Sequence, residues 1–329
     1  MRAATSADVA IMNGGGIRGD RTYDAGAKIT RGDIFKELPF GNKVVMLELA
    51  GKDLREALEN AVRSIGKGDG RMGQVSGVKL VGNKDGAPGS KLTAIEIGHT
   101  GLRARNFATG LPVLGPSCLP ILKPDAPFQA KAMDKADIRA FRDSHRTAVG
   151  RARQAGYDIV YVYCAHDASL LWHFLSPQYN FRTDEYGGPF ENRIRLLREV
   201  LEDTQDAAQG SMAVAIRFAV HDFKPGSPLT ADNEGRAVVE RLAEVPDLWD
   251  VNVAGWSRDS GTSRFDAEGF QEPYTGFVKT LTTKPVVGVG RFTSPEAMLS
   301  YVKRGIVDLV GAARPSIADP FLPAKINEG

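Results

Sequence analysis

The strongest constraint on the fold is a regular alternation of apolar runs and amphipathic segments that begins near residue 134. The apolar runs are short and continuous, which is typical of strands in a parallel sheet that is buried on both faces. The pattern predicts five strands, at residues 158–163, 212–218, 249–253, 285–289 and 307–310. It predicts five helices, at residues 134–155, 191–208, 231–243, 270–281 and 294–303. We therefore expect an α/β fold, built either as a doubly wound sheet or as part of a (β/α)₈ barrel.

The first half of the chain has a different character, with shorter apolar runs between glycine-rich turns. Four strands and one helix are predicted there, at residues 8–12, 44–49, 75–81 and 92–97 and at residues 54–65 respectively. Residues 108–128 are rich in proline and glycine and show no periodicity, which is typical of a join. We expect two domains, with the first at residues 1–98, a linker at 99–128 and the barrel portion at 129–329.

Composition excludes several functional classes. Hydrophobic residues make up 42% of the chain and charged residues 25%, the ordinary mixture of a globular protein. The net charge is +2 without a long basic stretch, so no nucleic-acid partner is expected. No apolar run reaches the roughly 18 residues that a membrane span needs, and the first residues lack a secretory signal. With two cysteines in all, we expect a reduced, cytoplasmic protein with no membrane partner, and a homo-oligomer is left open.

Two successive predicted strands end in similar glycine-rich turns, each followed by an arginine. The first turn contains Gly290 and Arg291, and the second contains Ala313 and Arg314. Backbone N–H groups and guanidinium groups at adjacent strand ends are a phosphate-binding arrangement in barrels. One such turn alone would more simply be interpreted as an ordinary turn with an arginine exposed to solvent. Two in succession favour a phosphate site.

A group that can move a proton is also predicted at the strand ends, where active sites of βα barrels lie. His166 follows the first of the five strands, Tyr163 lies three residues before it, and Asp259 lies near the end of the third strand. A lone histidine is more often structural than catalytic. These three side chains, brought together, can form a hydrogen-bonded set suited to proton transfer.

A long segment at residues 174–193 carries the signature of a known family, and residues 115–329 resemble the flavin barrel of trimethylamine and dimethylamine dehydrogenases within the old yellow enzyme family. Residues 163–166, 256–259 and 313–321 point to the amine dehydrogenase branch. The resemblance implies FMN as the cofactor. It implies that Arg217 lies by the flavin N1/C2 carbonyl and that the phosphate is held by Gly290, Arg291, Ala313 and Arg314.

The same resemblance implies oxidation of the C–N bond of a small alkylamine, with two electrons passed to FMN. Tyr163, His166 and Asp259 match the family's proton-handling triad. Trp256 matches a wall of the aromatic site that holds an alkylammonium by cation–π attraction. The departures are that the family's barrel has eight strands where five are predicted, and that two cysteines cannot hold the family's iron–sulfur cluster.

The first half contains a glycine-rich turn at residues 13–16 followed by Arg18, and later Phe40 and Asn42 in a second turn. The first turn is either a flexible turn or an anion-binding loop, and its spacing is not that of a dinucleotide-binding fold. Together with residues 29–34 and 49–54, these features resemble the C-terminal domain of 5′-nucleotidases, over residues 7–80. The resemblance implies that Arg18 contacts a nucleotide, Phe40 stacks on its base and Asn42 hydrogen-bonds it.

Hydrolysis of a nucleotide is not expected. Residues 1–98 contain no histidine, so the usual ligand set of a dinuclear metal site is absent and no metal is expected. Two alternatives to an FMN oxidoreductase therefore stay open, which are a nucleotide-binding module without catalysis and an inactive fusion of two truncated domains.

Overall fold

The computed structural model describes nearly all of the second half of the chain and parts of the first. The described residues are 9–13, 27–28, 30–38, 46–62, 73–76, 80–82, 92–104, 111–120, 129–255, 266–312, 322 and 325–326. The described strands are β1 (Ala10–Asn13), β2 (Gly73–Ser76), β3 (Leu80–Gly82), β4 (Leu92–Ile97), β5 (Leu114–Gly115), β6 (Lys131–Ala132), β7 (Ile159–Cys164), β8 (Ala213–His221), β9 (Leu248–Val253), β10 (Val286–Gly288) and β11 (Leu309–Val310). The described α-helices are α1 (Arg31–Glu37), α2 (Gly51–Val62), α3 (Lys135–Gln154), α4 (Leu170–Leu175), α5 (Phe190–Arg193), α6 (Arg195–Ala208), α7 (Glu234–Leu242), α8 (Glu272–Thr275) and α9 (Pro295–Lys303). None of these helices is both long and apolar enough to cross a bilayer.

The main sheet has six parallel strands in the order β4-β7-β8-β9-β10-β11, and β3 pairs antiparallel with the outer side of β4. Neighbours in the parallel part follow one another in chain order, as in a (β/α)₈ barrel and not in a doubly wound sheet. The α/β fold with a partial barrel is confirmed. The sheet has one parallel strand more than the five expected, because β4 pairs with β7 through Ala94–Ile159 and the three following pairs.

Helices were predicted well where their ends carry clear signals. Helix α3 begins after Asp134, whose Oδ1 accepts hydrogen bonds from the backbone N–H groups of Ala136 and Asp137 at 2.7 and 2.8 Å. The single helix predicted at 270–281 is wrong. The structure has the short α8 and a separate 3₁₀ turn at Val278–Thr280, and the break between them begins at Gly276, a weak helix former.

The strand predicted at 44–49 is also wrong over its described part. Residues 46–50 have no regular secondary structure, and Leu47 is 72% exposed. Among the described residues, no strand pairs with this segment. An apolar run without a neighbouring strand cannot form the ladder that would make it a strand.

The two faces of the main sheet differ in chemistry. One face is apolar and packs under the helices, as Val160, Val162 and Cys164 of β7 illustrate, all of them fully buried. The opposite face, here called the polar face, carries the side chains that alternate with those buried ones. Its polar members are Glu96, Tyr161, Tyr163, Arg217, Asp250 and Asn252. Polar groups in the middle of buried strands need a reason beyond packing, so this face is the place to look for chemistry.

Helix α2, from the first half of the chain, packs on the outside of the barrel portion. Leu58 is fully buried and belongs to the main hydrophobic core. Arg55 donates from Nη1 to the carbonyl oxygen of Ala155 at 2.9 Å, and its guanidinium lies 5.0 Å from the ring centre of Tyr157. The first half is therefore anchored to the barrel by an apolar contact and a cationic one.

Two buried histidines make the fold sensitive to acid. His145 on α3 and His173 on α4 are both buried, and burial lowers the pKa of each to about 4. An unfolded histidine titrates near 6.5, so the unfolded state binds more protons than the folded state between those two values. We expect the free energy of unfolding to fall steadily as the pH drops from about 6.5 to about 4. Urea unfolding at a series of pH values measures this slope.

The control for that measurement is His145→Gln. Glutamine can keep a hydrogen bond to Thr204 Oγ1, which lies 2.9 Å from His145 Nε2, but it does not titrate. The variant should show a shallower dependence of stability on pH. Identical slopes in the variant and the parent protein would contradict the role of His145.

Candidate active site

The first element of the site is a hydrogen-bonded pair at the carboxyl end of β7. Tyr163 points to the polar face, and its Oη lies 2.7 Å from Nδ1 of His166. The two rings are nearly parallel, with their centres 6.0 Å apart. His166 and Asp167 both have left-handed backbone conformations, with φ of 58° and 52°. This turn bends the chain back so that the imidazole reaches the tyrosine three residues earlier.

A residue from another strand completes the surroundings of His166. Nδ2 of Asn252 on β9 lies 2.8 Å from His166 Nε2, and Asn252 is fully buried. Both ring nitrogens of His166 therefore have a hydrogen-bonding partner on the protein, which fixes the orientation of the ring. A ring held at both nitrogens keeps Nδ1 directed at the phenol oxygen of Tyr163.

The second element is Arg217, which is the register partner of Tyr163 across β7 and β8. Its Nη1 lies 3.5 Å from Oδ2 of Asp250 and 3.9 Å from Oε2 of Glu96, and its side chain is 17% exposed. Burial, followed by the charge of Asp250, raises the pKa of nearby Tyr161 to about 12. The polar face thus holds one guanidinium between two carboxylates, beside a phenol that stays neutral at physiological pH.

The third element is the turn after β10. Arg291 has a left-handed φ of 59°, a conformation that is costly outside glycine and is concentrated at functional sites. The carbonyl oxygen of Gly290 accepts a hydrogen bond from Gly269 N at 2.7 Å. The backbone N–H groups of Thr293 and Ser294, the two residues before α9, donate to Glu268, and these bonds lower the pKa of Glu268 to about 2. The start of α9 is thus already occupied by a carboxylate, which leaves Gly290 and Arg291 as the phosphate candidates at this turn.

The structure describes five of the predicted site residues and places each of them in the middle or at the carboxyl end of a barrel strand or in the turn after it. They are Tyr163, His166, Arg217, Gly290 and Arg291. The remaining predicted residues lie outside the described residues. They are Arg18, Phe40, Asn42, Trp256, Asp259, Ala313 and Arg314.

Sequence reasoning missed three polar residues of this face, namely Glu96, Asp250 and Asn252. A signal for each was present, because each is a polar residue within an otherwise apolar strand, as in Ile95-Glu96-Ile97. Glu96 was missed because its strand was assigned to the first half. The partner of Asn252 lies 86 residues away in the sequence, so no local pattern links the two.

This fold agrees with the comparisons with known proteins. Residues 89–329, well over half of the chain, match the NADH:flavin oxidoreductase / NADH oxidase family, so the chain belongs to that family. Residues 1–105 match the C-terminal domain of 5′-nucleotidases. Both resemblances seen in the sequence are thereby confirmed.

The chain is also similar to three proteins whose names are those of amine-acting enzymes. The 6-hydroxypseudooxynicotine amine oxidase of Pseudomonas geniculata N1 is 55% identical with a TM-score of 0.69, over 71% of this chain and 35% of that one. Histamine dehydrogenase of Rhizobium sp. 4-9 is 36% identical with a TM-score of 0.70, over 85% of this chain and 43% of that one. Dimethylamine dehydrogenase of Hyphomicrobium sp. is 42% identical over 200 residues, which are 60% of this chain and 27% of that protein. The chain thus spans less than half the length of each of these relatives.

Proposed function

We propose that the barrel portion of this chain binds FMN and oxidises the C–N bond of a small amine, passing two electrons to the flavin. The observation that carries the proposal is the Tyr163–His166 pair, 2.7 Å apart, on the same face as Arg217. Oxidation of an ammonium substrate by a flavin needs a group that takes up a proton and a positive charge near the flavin, and this pair and the partly buried Arg217 can supply them. Family membership and the three amine-oxidising relatives support the proposal.

The side chains of the polar face fit a flavin ring. The pyrimidine edge of a flavin has carbonyl acceptors and one N–H donor. Arg217 offers N–H donors and positive charge, and Glu96, 3.9 Å away, offers acceptor oxygens. Gly290 and Arg291, together with Ala313 and Arg314 outside the described residues, would hold the phosphate as the family resemblance implies. FMN, when bound, would supply the two-electron acceptor for the chemistry.

The chain's own residues would handle the charge and the proton. Arg217 places positive charge at the polar face, which favours negative charge developing on a group bound there. With Asn252 Nδ2 donating to His166 Nε2, the ring proton of His166 lies on Nδ1 and is donated to Tyr163 Oη, which stabilises the phenolate that can take a proton from an ammonium group. Asn252 holds the far nitrogen of His166 in place, so that the imidazole stays in line. Asp259 as third member of the triad and Trp256 as cation–π wall are part of the same proposal.

The substrate class follows from the relatives and from this charge arrangement. The names of the three relatives are all those of amine-acting enzymes. We propose a small amine for this chain, without narrowing it to one compound. Cys118 and Cys164 are both free thiols, which supports a reducing, cytoplasmic location.

The first half supports a second candidate, a nucleotide-binding module without catalysis. The match of residues 1–105 to the 5′-nucleotidase C-terminal domain favours it. Arg18, Phe40 and Asn42 would be the contact residues. The two domains proposed at 1–98 and 129–329, with the join at 99–128, would then bind separate ligands.

Titration of the purified chain with FMN and, separately, with AMP tests both candidates. We expect FMN to bind with quenching of its fluorescence, and a small amine added without oxygen to bleach the bound flavin band. Calorimetry with AMP and adenosine tests the second candidate, with guanosine as the matched nucleoside control. A flat FMN titration contradicts the first candidate, and a flat AMP titration contradicts the second.

A further inference from the structure

Asp167, the residue after His166, is a buried carboxylate for which the proposed chemistry has no direct use. It is 1% exposed and has a left-handed backbone φ of 52°. His166 before it is left-handed too, and each such conformation outside glycine costs on the order of 1 kcal/mol or more. Two strained residues in a row persist only where their surroundings hold them firmly.

The surroundings of Asp167 are three donors from three different segments. Oδ2 accepts from Lys224 Nζ at 2.8 Å and from Tyr179 Oη at 3.2 Å. The same oxygen receives Nη2 of Arg103, whose Nε also donates to the carbonyl oxygen of Asp167. Arg103 follows β4, Lys224 follows β8, and Tyr179 follows α4. One carboxylate therefore ties the turn after β7 to the segments after its two neighbouring strands.

We propose that Asp167 is a positioning residue for His166, a proposal that rests on the proposed function. Its carboxylate holds the left-handed turn in the conformation that brings His166 Nδ1 within 2.7 Å of Tyr163 Oη. Without the carboxylate, the turn loses its bonds to Lys224, Tyr179 and Arg103 Nη2 and keeps the bond from Arg103 Nε to its backbone carbonyl oxygen. The turn can then relax, and the imidazole moves away from the phenol.

The decisive variant is Asp167→Gly. Glycine adopts the left-handed conformation without strain, so the variant removes the carboxylate while leaving the backbone free to keep its native shape. The readout is the ring ¹⁵N signals of His166 in NMR, assigned among five histidines by the loss of one set in His166→Gln. We expect the signals in Asp167→Gly to move to the positions seen in Tyr163→Phe, where the hydrogen bond is removed directly. Signals that stay at the parent positions overturn the proposal.

A second variant keeps the test informative if Asp167→Gly does not fold. Lys224→Met removes one donor, at a side chain that is one-third exposed, and should move the His166 signals part of the way in the same direction. The matched control is Asp203→Asn. Asp203 is a buried carboxylate paired with Arg142, 2.6 Å from Nε to Oδ2, and with Arg146, but it lies in the helical layer on α6. Its loss should lower stability and leave the His166 signals unchanged.

Kinetics separate this proposal from the proposed function. With FMN bound, amine-dependent flavin reduction in Asp167→Gly should be slower by about 10-fold to 100-fold, with FMN affinity unchanged, as expected for a misplaced catalytic group. Absence of amine-dependent reduction in the parent protein would contradict the proposed function, whereas the NMR comparison would still decide the role of Asp167. An unchanged rate in Asp167→Gly would count against positioning even if the signals move.

Discussion

Replacing Tyr163 with phenylalanine is expected to slow amine-dependent reduction of bound FMN by about 100-fold or more, the usual contribution of a positioned proton-transfer group. The substitution removes one oxygen atom, so packing and flavin binding should be nearly unchanged. What is lost is the hydroxyl 2.7 Å from His166 Nδ1, and with it the group that receives the substrate proton. Anaerobic stopped-flow absorbance of the flavin band measures the rate directly.

Tyr157→Phe is the matched control for this variant. Tyr157 lies just before β7 at the opposite end of the same strand, six residues or about 20 Å from Tyr163. It loses the same oxygen atom from a buried phenol, but away from the candidate site. Equal rates in Tyr163→Phe and the parent protein would show that Tyr163 takes no part in the proton transfer.

Shortening Leu58 to alanine is expected to destabilise the barrel portion by about 2–5 kcal/mol, the range for a fully buried leucine. The reason is that Leu58 on α2 is fully buried within the same core as the barrel helices. A residue from the nucleotidase-like half thus contributes to the stability of the flavin-family half. Urea unfolding followed by tryptophan fluorescence reports on the barrel, because Trp172 and Trp249 are both buried in its core.

Leu47→Ala provides the control for Leu58→Ala. Leu47 lies a short distance before the same helix and is 72% exposed, so its loss should change stability by less than about 0.5 kcal/mol. If Leu58→Ala behaves like Leu47→Ala, helix α2 does not stabilise the barrel and the two halves are energetically independent.

The strand-and-helix rhythm of the second half could be predicted because each element carries its own local signal. Helix α3 has a capping aspartate at its start, and β7 is a continuous apolar run. The position of β4 could not be predicted in the same way. Its residues read equally well as the last strand of the first half, and only pairing with β7, more than sixty residues later, places it in the barrel. Long-range pairing of this kind leaves no mark in a local pattern.

The candidate site likewise contains residues that the local sequence could predict and residues that it could not. Tyr163 and His166 are three residues apart at a strand end, so their proximity could be inferred from the sequence, although their roles stay predictions. Asn252 and Glu96 come from other strands and meet the site only through the register of the sheet. Asp167 was passed over because the sequence does not reveal that three distant donors converge on it.

The antiparallel strand β3 affects how readily the edge of the main sheet can pair with another molecule. Its three residues occupy the hydrogen-bonding groups on the outer side of β4. In the described part of the chain, the other margin of the sheet is β11, with two residues. Edge strands of two or three residues offer an incoming strand few hydrogen-bonding groups. A fully exposed edge of the six-residue β4 would offer more, and exposed edges of this kind promote pairing between molecules. Strand β3, which lies within the match to the 5′-nucleotidase C-terminal domain, thus covers part of the β4 edge that a second molecule could otherwise pair with.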